Sequence, residues 1–410
     1  MKILQLCNKL PFPEKDGGAI AISTLTQGLI SSGCEVKMVA MNTKKHFTPI
    51  SNVPVKFREE TRLEAVPMDT RVKARKALLS LLAKKSYNVS RFYSHDFKNK
   101  IVSILKEETF DIILLEGLYL TPYIAYIRRF SKAPVVLRAH NVEWLIWHRL
   151  AKEERFRLKR TYLNKLAKQL KEYESQAVNL CDGIMVFTET DKMKLAEMGC
   201  KTPVEVFPFG INLNNYLPAP APQTPSLFFI GALDWMPNVQ GMEWFLKHAW
   251  NQIHTAFPGV TFHIAGRNMP GKWKNASIPG VVFHGQVEDA MEFMKTHSLM
   301  IVPLFAGSGI RIKIIEGMAL QKPVISTGIG LEGIICVNGN DVIRADTYHE
   351  FFDAVKKCFD EEEYMNRIGH NARKTVEEHY NIGSISGDMI RFFSAMIDSK
   401  QTQAKAAAAE

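Results

Sequence analysis

Between residues 307 and 316 the chain reads GSGIRIKIIE: Gly307, Ser308 and Gly309, then Arg311, Lys313 and Glu316. Glycine lets a backbone come close to a ligand and leaves N–H groups unpaired, and at the start of a helix those groups sit at the positive end of the dipole. Arg311 and Lys313 bring two cations to the same point, where like charge destabilises a helix N-terminus unless an anion is bound. Glu316 falls a turn later, and a carboxylate accepts hydrogen bonds from neighbouring hydroxyls such as those of a ribose or a sugar. An anion together with a diol is the chemistry of a nucleotide. The simpler account is a glycine turn and a solvated cationic helix edge, but glycines, cations and carboxylate at this spacing favour the ligand.

The elements around this stretch must form an α/β frame. "LMIVPLF" reads as a strand, "AGSG" as a loop and "IRIKIIEGMALQ" as a helix beginning near residue 309. In an open parallel sheet such a loop lies at the carboxyl end of a strand, where ligands gather. Apolar runs and amphipathic helices alternate along most of the chain. "KILQL", "EVKMVAM", "FDIILLEG", "APVVLRA", "CDGIMVFT" and "PVEVFPFG" are strands of a first set; "SLFFIGAL", "TFHIAG", "VVFHG", "SLMIVPL" and "PVISTG" form a second. Between the sets, residues 208–225 hold five prolines and no periodicity, which marks a linker. The fold class expected is α/β with two doubly wound domains. The expected division is 1–212, a linker 213–225, 226–372, C-terminal helices over 373–398 with a return to the first domain left open, and a low-complexity tail 399–410.

Size and composition agree with that division. At 410 residues and 46% hydrophobic content the chain supplies two cores rather than one. A formal charge of +10 points to an anionic partner without choosing among nucleotide, membrane surface and nucleic acid. The six cysteines are scattered, with no CxxC and no Cys/His cluster, so they read as reduced thiols of a cytoplasmic protein, and no metal site is expected. "MKILQLCNKL" reads as a first strand rather than a signal peptide, and no run is long enough to span a bilayer. Residues 71–100 are basic and leucine-bearing, with Leu78, Leu79, Leu81 and Leu82 among Arg71, Lys73, Arg75, Lys76, Lys84 and Lys85. Such a helix packs on a core with its lysines solvated, or lies on an anionic membrane. No aromatic residues interleave with a basic stripe in the manner of single-strand nucleic-acid binders, so no nucleic-acid partner is expected.

"PLFAGSGIRIKIIEGMALQKPVISTGIGLEGI" resembles the C-terminal signature of GT-B-fold glycosyltransferases of family 4, retaining enzymes that use nucleotide-diphosphate sugars. "DGGAIAISTLTQGLISSGCEV", "RAHNVEW", "FIGALDWMPN" and "VVFHGQVEDAMEFM" agree with it in order along nearly the whole chain. The resemblance implies two Rossmann-like domains facing each other across a cleft, the first on the acceptor side and the second holding the donor. It also implies hexosyl transfer without a metal or other cofactor. By the same resemblance Gly17 and Gly18 approach the donor diphosphate, His140 contacts the transferred sugar, and Arg311 and Lys313 neutralise the diphosphate leaving group. Glu316 matches the second glutamate of the family's pair and holds the ribose. Gly307, Ser308 and Gly309 meet the donor through their backbone, Val287 lies in the turn that cradles the base, and Arg267 is a further candidate facing the donor.

The departures from the pattern are informative. Ser308 replaces the first glutamate of the pair, and the family's arginine and lysine after the first strand of the second domain fall near Ala232 and Asn238 here. Arg311 and Lys313 are read as supplying the charge lost at those two positions, while Glu332 is too distant to replace the missing glutamate. The partners implied are a nucleotide sugar and a glycan or lipid-linked acceptor, with peripheral contact to an anionic membrane left open at the inner face. A nucleotide-sugar 2-epimerase and a catalytically inactive nucleotide-sugar-binding protein remain as alternatives.

Overall fold

The computed structural model describes residues 1–14, 17–44, 47–71, 86–154, 156–219, 224–307 and 309–409, with backbone alone at 153, 403, 404 and 406–409. Ser308 and most of the basic helix expected over 71–100, residues 72–85, lie outside the described residues.

The chain forms two compact units, residues 1–210 with 382–410, and residues 211–381. The first carries a parallel sheet of β1 (Lys2–Cys7), β2 (Glu35–Thr43), β3 (Glu64–Met68), β4 (Ile112–Glu116), β5 (Val135–Ala139), β6 (Gly183–Val186) and β7 (Val204–Val206) in the order β3-β2-β1-β4-β5-β6-β7. The second carries β8 (Ser226–Ile230), β9 (Thr261–Ala265), β10 (Val281–Gly285), β11 (Leu299–Val302), β12 (Val324–Ser326) and β13 (Ile343–Arg344) in the order β10-β9-β8-β11-β12-β13. Both sheets are doubly wound, as the alternation of apolar runs and helices predicts. Each reverses direction once, between β1 and β4 and between β8 and β11. At such a switch the loops after the two strands leave to opposite faces and open a crevice at their carboxyl ends. Strand order is therefore what decides where ligands are met.

Central strands are buried on both faces: every residue of β4, β5, β8 and β11 is buried, which explains their largely apolar runs. The strands that sequence reading missed are edges. β3 contains Pro67, and β13 is two residues long; an edge strand needs neither a full ladder nor a wholly apolar run.

The C-terminal segment divides later than residue 373. Helix Glu362–His379 packs against helix Ile312–Ala319 in the second unit. Helix Ile382–Ala409 belongs to the first unit: Ile385, Met389 and Phe393 are buried with Ile3, Leu25 and Leu29. Gly28 permits that approach, since a Cβ there would lie 2.6 Å from Ile382 Cγ1 and collide with Ser386 Oγ. Residues 399–409 are not a structureless tail. An alanine-rich segment extends a helix already nucleated and packed upstream, and Lys400 Nζ lies 2.7 Å from an Asp182 carboxylate oxygen.

Candidate functional site

The quoted glycine stretch follows β11. Gly307 and Gly309 have φ of 116° and 83°, a region L-residues with side chains rarely adopt, so the chain cannot be helical there. The helix accordingly starts at Ile312, with Arg311 as its N-cap, rather than near residue 309. Both cations turn toward the segment after β8, Arg311 to its loop and Lys313 to the first turn of helix Met236–Phe245. Lys313 Nζ donates to Asn238 Oδ1 at 2.9 Å and stands 4.0 Å from the centre of the Phe229 ring. A Cβ on Gly231 would come within 3.0 Å of Nζ, so glycine keeps that space open. The Arg311 guanidinium lies 5.7 Å from the centre of the Trp235 ring, and a Cβ on Gly307 would press against the same indole at 2.8 Å. Burial pushes the Lys313 ammonium well below its ordinary value, and the Arg311 charge pushes in the same direction. An anion seated between them would reverse both effects.

Glu316 lies on the second turn of the same helix and accepts a hydrogen bond from Tyr216 Oη at 2.9 Å. Burial raises its carboxyl pKa, against the opposing pull of that hydroxyl. Tyr216 is also held through its carbonyl oxygen, which accepts from Arg373 Nη1 at 2.5 Å, so this part of the expected linker is tied to the second unit. Arg267 follows β9, with Nε 3.9 Å from Asp234 Oδ1, and Val287 is half-buried in the turn between β10 and helix Ala290–Lys295. The structure thus joins Gly307, Arg311 and Lys313 to the segment after β8, and places Arg267 and Val287 just beyond the ends of β9 and β10.

In the first unit, loops after β1, β4 and β5 line a cavity of about 1030 Å³ that includes Asn8, Lys9, Gly18, Gly117, His140 and Asn141. Gly17 opens helix Gly17–Ser31 beside it. His140 is fixed from beneath. Its Nε2 lies 2.6 Å from Glu116 Oε2, at the end of β4, and that carboxylate is fully buried. Gln5 Nε2 donates to Glu116 Oε1 at 2.8 Å, Thr26 Oγ1 donates to Gln5 Oε1 at 2.8 Å, and Arg138 Nη1 stands 3.3 Å from Glu116 Oε2. Burial alone would raise the Glu116 carboxyl, yet Arg138, His140 and Gln5 together hold it below the usual range. An ionised Glu116 accepts only, so His140 donates from Nε2 and keeps its Nδ1 lone pair available. Burial lowers the imidazole pKa despite the upward pull of Glu116, so the ring is neutral near pH 7.

Gly18 and His140, far apart in sequence, therefore share one cavity. Glu116, Gln5 and Arg138 escaped sequence reading. The available signal was a carboxylate at the carboxyl end of the strand "DIILLEG" and an arginine inside "VVLRA", polar residues where burial demands a partner.

Residues 15–215 match the family model for glycosyltransferase family 4, and residues 224–361 that for glycosyl transferases group 1. The chain is 20% identical over 397 residues to an uncharacterized 44.6 kDa protein in the cps region of Klebsiella pneumoniae, covering 93% of this chain and 96% of that one. It is 28% identical over 105 residues, 25% of this chain and 27% of the relative, to the capsular polysaccharide biosynthesis glycosyltransferase CapM of Staphylococcus aureus. Among solved structures, sucrose-phosphate synthase from Thermosynechococcus elongatus superposes with a TM-score of 0.70 at 13% identity, covering 97% of this chain and 100% of that one. Anabaena HepE in complex with UDP-glucose gives 0.64 at 13% identity, over 96% and 100% of the two chains.

Proposed function

Since the chain belongs to glycosyltransferase family 4 and is a nucleotide-sugar-dependent glycosyltransferase of GT-B fold, we propose that it moves a hexosyl group, with retention, onto a carbohydrate or lipid-linked acceptor during synthesis of a cell-surface polysaccharide or glycoconjugate. The observation that carries the donor half of this reading is the pairing of Lys313 with Asn238 beside the glycine loop. A cation stands there where the family's own lysine is missing.

On this reading the donor diphosphate rests on the amino end of helix Ile312–Ala319, between Arg311 and Lys313. Gly307, Ser308 and Gly309 offer backbone N–H groups, and Glu316 releases Tyr216 to take the ribose hydroxyls. The base lies against the turn containing Val287, with Arg267 at its border. Gly17, Gly18 and His140 address the diphosphate and the sugar from the first unit. The bond between the anomeric carbon and the phosphate oxygen breaks through an oxocarbenium-like state as the acceptor oxygen bonds to the same face, and the departing phosphate takes the acceptor proton. Preorganised donors stabilise the leaving group as its charge develops. Arg311 and Lys313 supply the positive charge, so the transfer step assigns no role to a metal ion or other cofactor.

The acceptor belongs in the cavity of the first unit. The word "capsular" in one relative's name and the cps region of the other support a surface polysaccharide as product. Among the described residues no helix is long and apolar enough to cross a membrane. We place the enzyme in the cytoplasm, with peripheral contact between the basic stretch 71–100 and an anionic inner membrane face, and without a nucleic-acid partner.

Purified chain incubated with UDP-, GDP- and TDP-sugars, with and without glycan and lipid-linked acceptors, tests the reading. Release of the nucleoside diphosphate together with an α-configured product from an α-configured donor is expected. Inversion at C2 of the donor without acceptor would mean an epimerase. Tight donor binding with no turnover against any acceptor would mean an inactive binder.

A further inference from the structure

His263, His284 and His297 are scattered over 35 positions of the sequence numbering, yet one ring nitrogen of each lies within 4.8 Å of one in the other two. His263 sits on β9, His284 on β10 and His297 between helix Ala290–Lys295 and β11. Val282 pairs with His263 across the parallel ladder. The ladder shifts register between Phe283 and Gly285, at His284, and the His284 ring stacks on that of His263 with centres 5.2 Å apart, so both lie on one side of the sheet. His297 closes the cluster from above, its ring centre 4.2 Å from that of His263.

The hydrogen bonds fix which nitrogens are available. His297 Nδ1 lies 2.6 Å from the Phe293 carbonyl oxygen, which accepts only, so Nδ1 carries the proton and Nε2 keeps its lone pair. His263 Nε2 lies 2.8 Å from Thr261 Oγ1, and its Nδ1 lies 2.9 Å from His284 Nε2. Two of the three rings therefore already have an oxygen partner on the nitrogen that faces away from the cluster. Ligating histidines are oriented in this way, by a carbonyl or hydroxyl on the second ring nitrogen. A tetrahedral zinc with Zn–N near 2.0–2.1 Å separates its ligand nitrogens by about 3.3 Å. The 2.9 Å gap between His263 and His284 is close to that value. The ligand nitrogens of all three rings lie within 4.8 Å of one another, so binding draws His297 inward to close the remainder. His284 is exposed on β10, an edge strand, so an ion and a solvent ligand can enter.

We propose that His263, His284 and His297 form a three-imidazole site for a borderline divalent transition metal, zinc in the first instance, at the β10 edge of the second unit's sheet. The fourth ligand is water. His284 precedes the 286–289 turn and His297 follows helix Ala290–Lys295, so the ion clasps both ends of that segment to β9. Its role is to hold the segment in place, and it is separate from the transfer chemistry.

Equilibrium dialysis of the untagged full chain against zinc chloride, followed by elemental analysis, tests the site. One zinc per chain at micromolar or lower free metal is expected, with a rise in melting temperature on zinc addition. His284→Ala, an exposed position whose loss leaves the core intact, should weaken binding at least tenfold and abolish the melting shift. His297→Gln should do the same if it folds. Cobalt(II) in place of zinc should give the visible d–d bands of a four-coordinate site with three imidazole nitrogens and one water. Less than half an equivalent bound, or undiminished binding by His284→Ala, overturns the proposal. Neither result depends on donor turnover, so it stands or falls apart from the assignment of the transferase site.

Discussion

Lys313 Nζ lies 2.9 Å from Asn238 Oδ1, so a cation carried by the helix after β11 reaches the first turn of helix Met236–Phe245, which follows β8. The segments after β8 and β11 flank the switch point of the second sheet. The lysine is half-buried, beside an arginine, over an aromatic face and against a neutral amide. A protein gains little stability by keeping a charge in such a place, and the donor diphosphate proposed above would supply the missing negative charge.

Replacing Lys313 with alanine separates the two roles. Donor turnover by Lys313→Ala should fall by about 10²–10³-fold, the usual loss when one donor to a developing oxyanion is removed. Its melting temperature should hold or rise, because a buried cation has been deleted. Steady-state kinetics with a thermal melt on the same sample checks both; a melt lowered in step with activity would point to a structural lysine.

Nucleotide binding should draw in a proton. Burial and Arg311 depress the Lys313 pKa in the free chain, and a diphosphate restores it, so affinity for a nucleoside diphosphate should weaken as pH rises through the depressed value. The unfolded lysine binds its proton more tightly than the folded one, so in the ligand-free chain stability rises with pH across that window. Bound nucleotide should flatten the rise. Titration calorimetry in buffers of different ionisation enthalpy measures the proton uptake, and a pH series of melts with and without UDP measures the slope.

Glu116 anchors His140 and also balances Arg138, whose side chain is 4% exposed. Glu116→Gln leaves that guanidinium buried beside a neutral amide and should lower stability by about 3–5 kcal/mol in a denaturant titration. Adding Arg138→Met should recover part of the loss. In the folded variant the imidazole loses the upward pull of the carboxylate, so the acid limb of the turnover profile, already below the ordinary histidine range, should move to lower pH.

Gly307→Ala tests the loop. With φ at 116° and the indole of Trp235 2.8 Å from the new Cβ, the substitution should lower stability by about 1–3 kcal/mol and raise the donor KM. Trp235→Ala in the same chain should relieve the collision but not the backbone strain. A KM unchanged in Gly307→Ala would remove this loop from the donor site.

The alternating apolar runs specified two doubly wound units, because buried central strands and amphipathic helices each leave a periodic trace in sequence. The glycine, cation and carboxylate spacing of residues 307–316 was equally legible, since those residues are local to one strand–loop–helix turn. The edges β3 and β13 left no comparable trace, and neither did the continuation of the last helix through residue 409. Only the fold decided which distant residues meet. Glu116 under His140, Asn238 against Lys313, and three histidines gathered from two strands and a turn all depend on strand order and register, which bring together positions with no fixed separation along the chain. Periodicity records how each segment faces its core. It carries no record of which segment lies beside it.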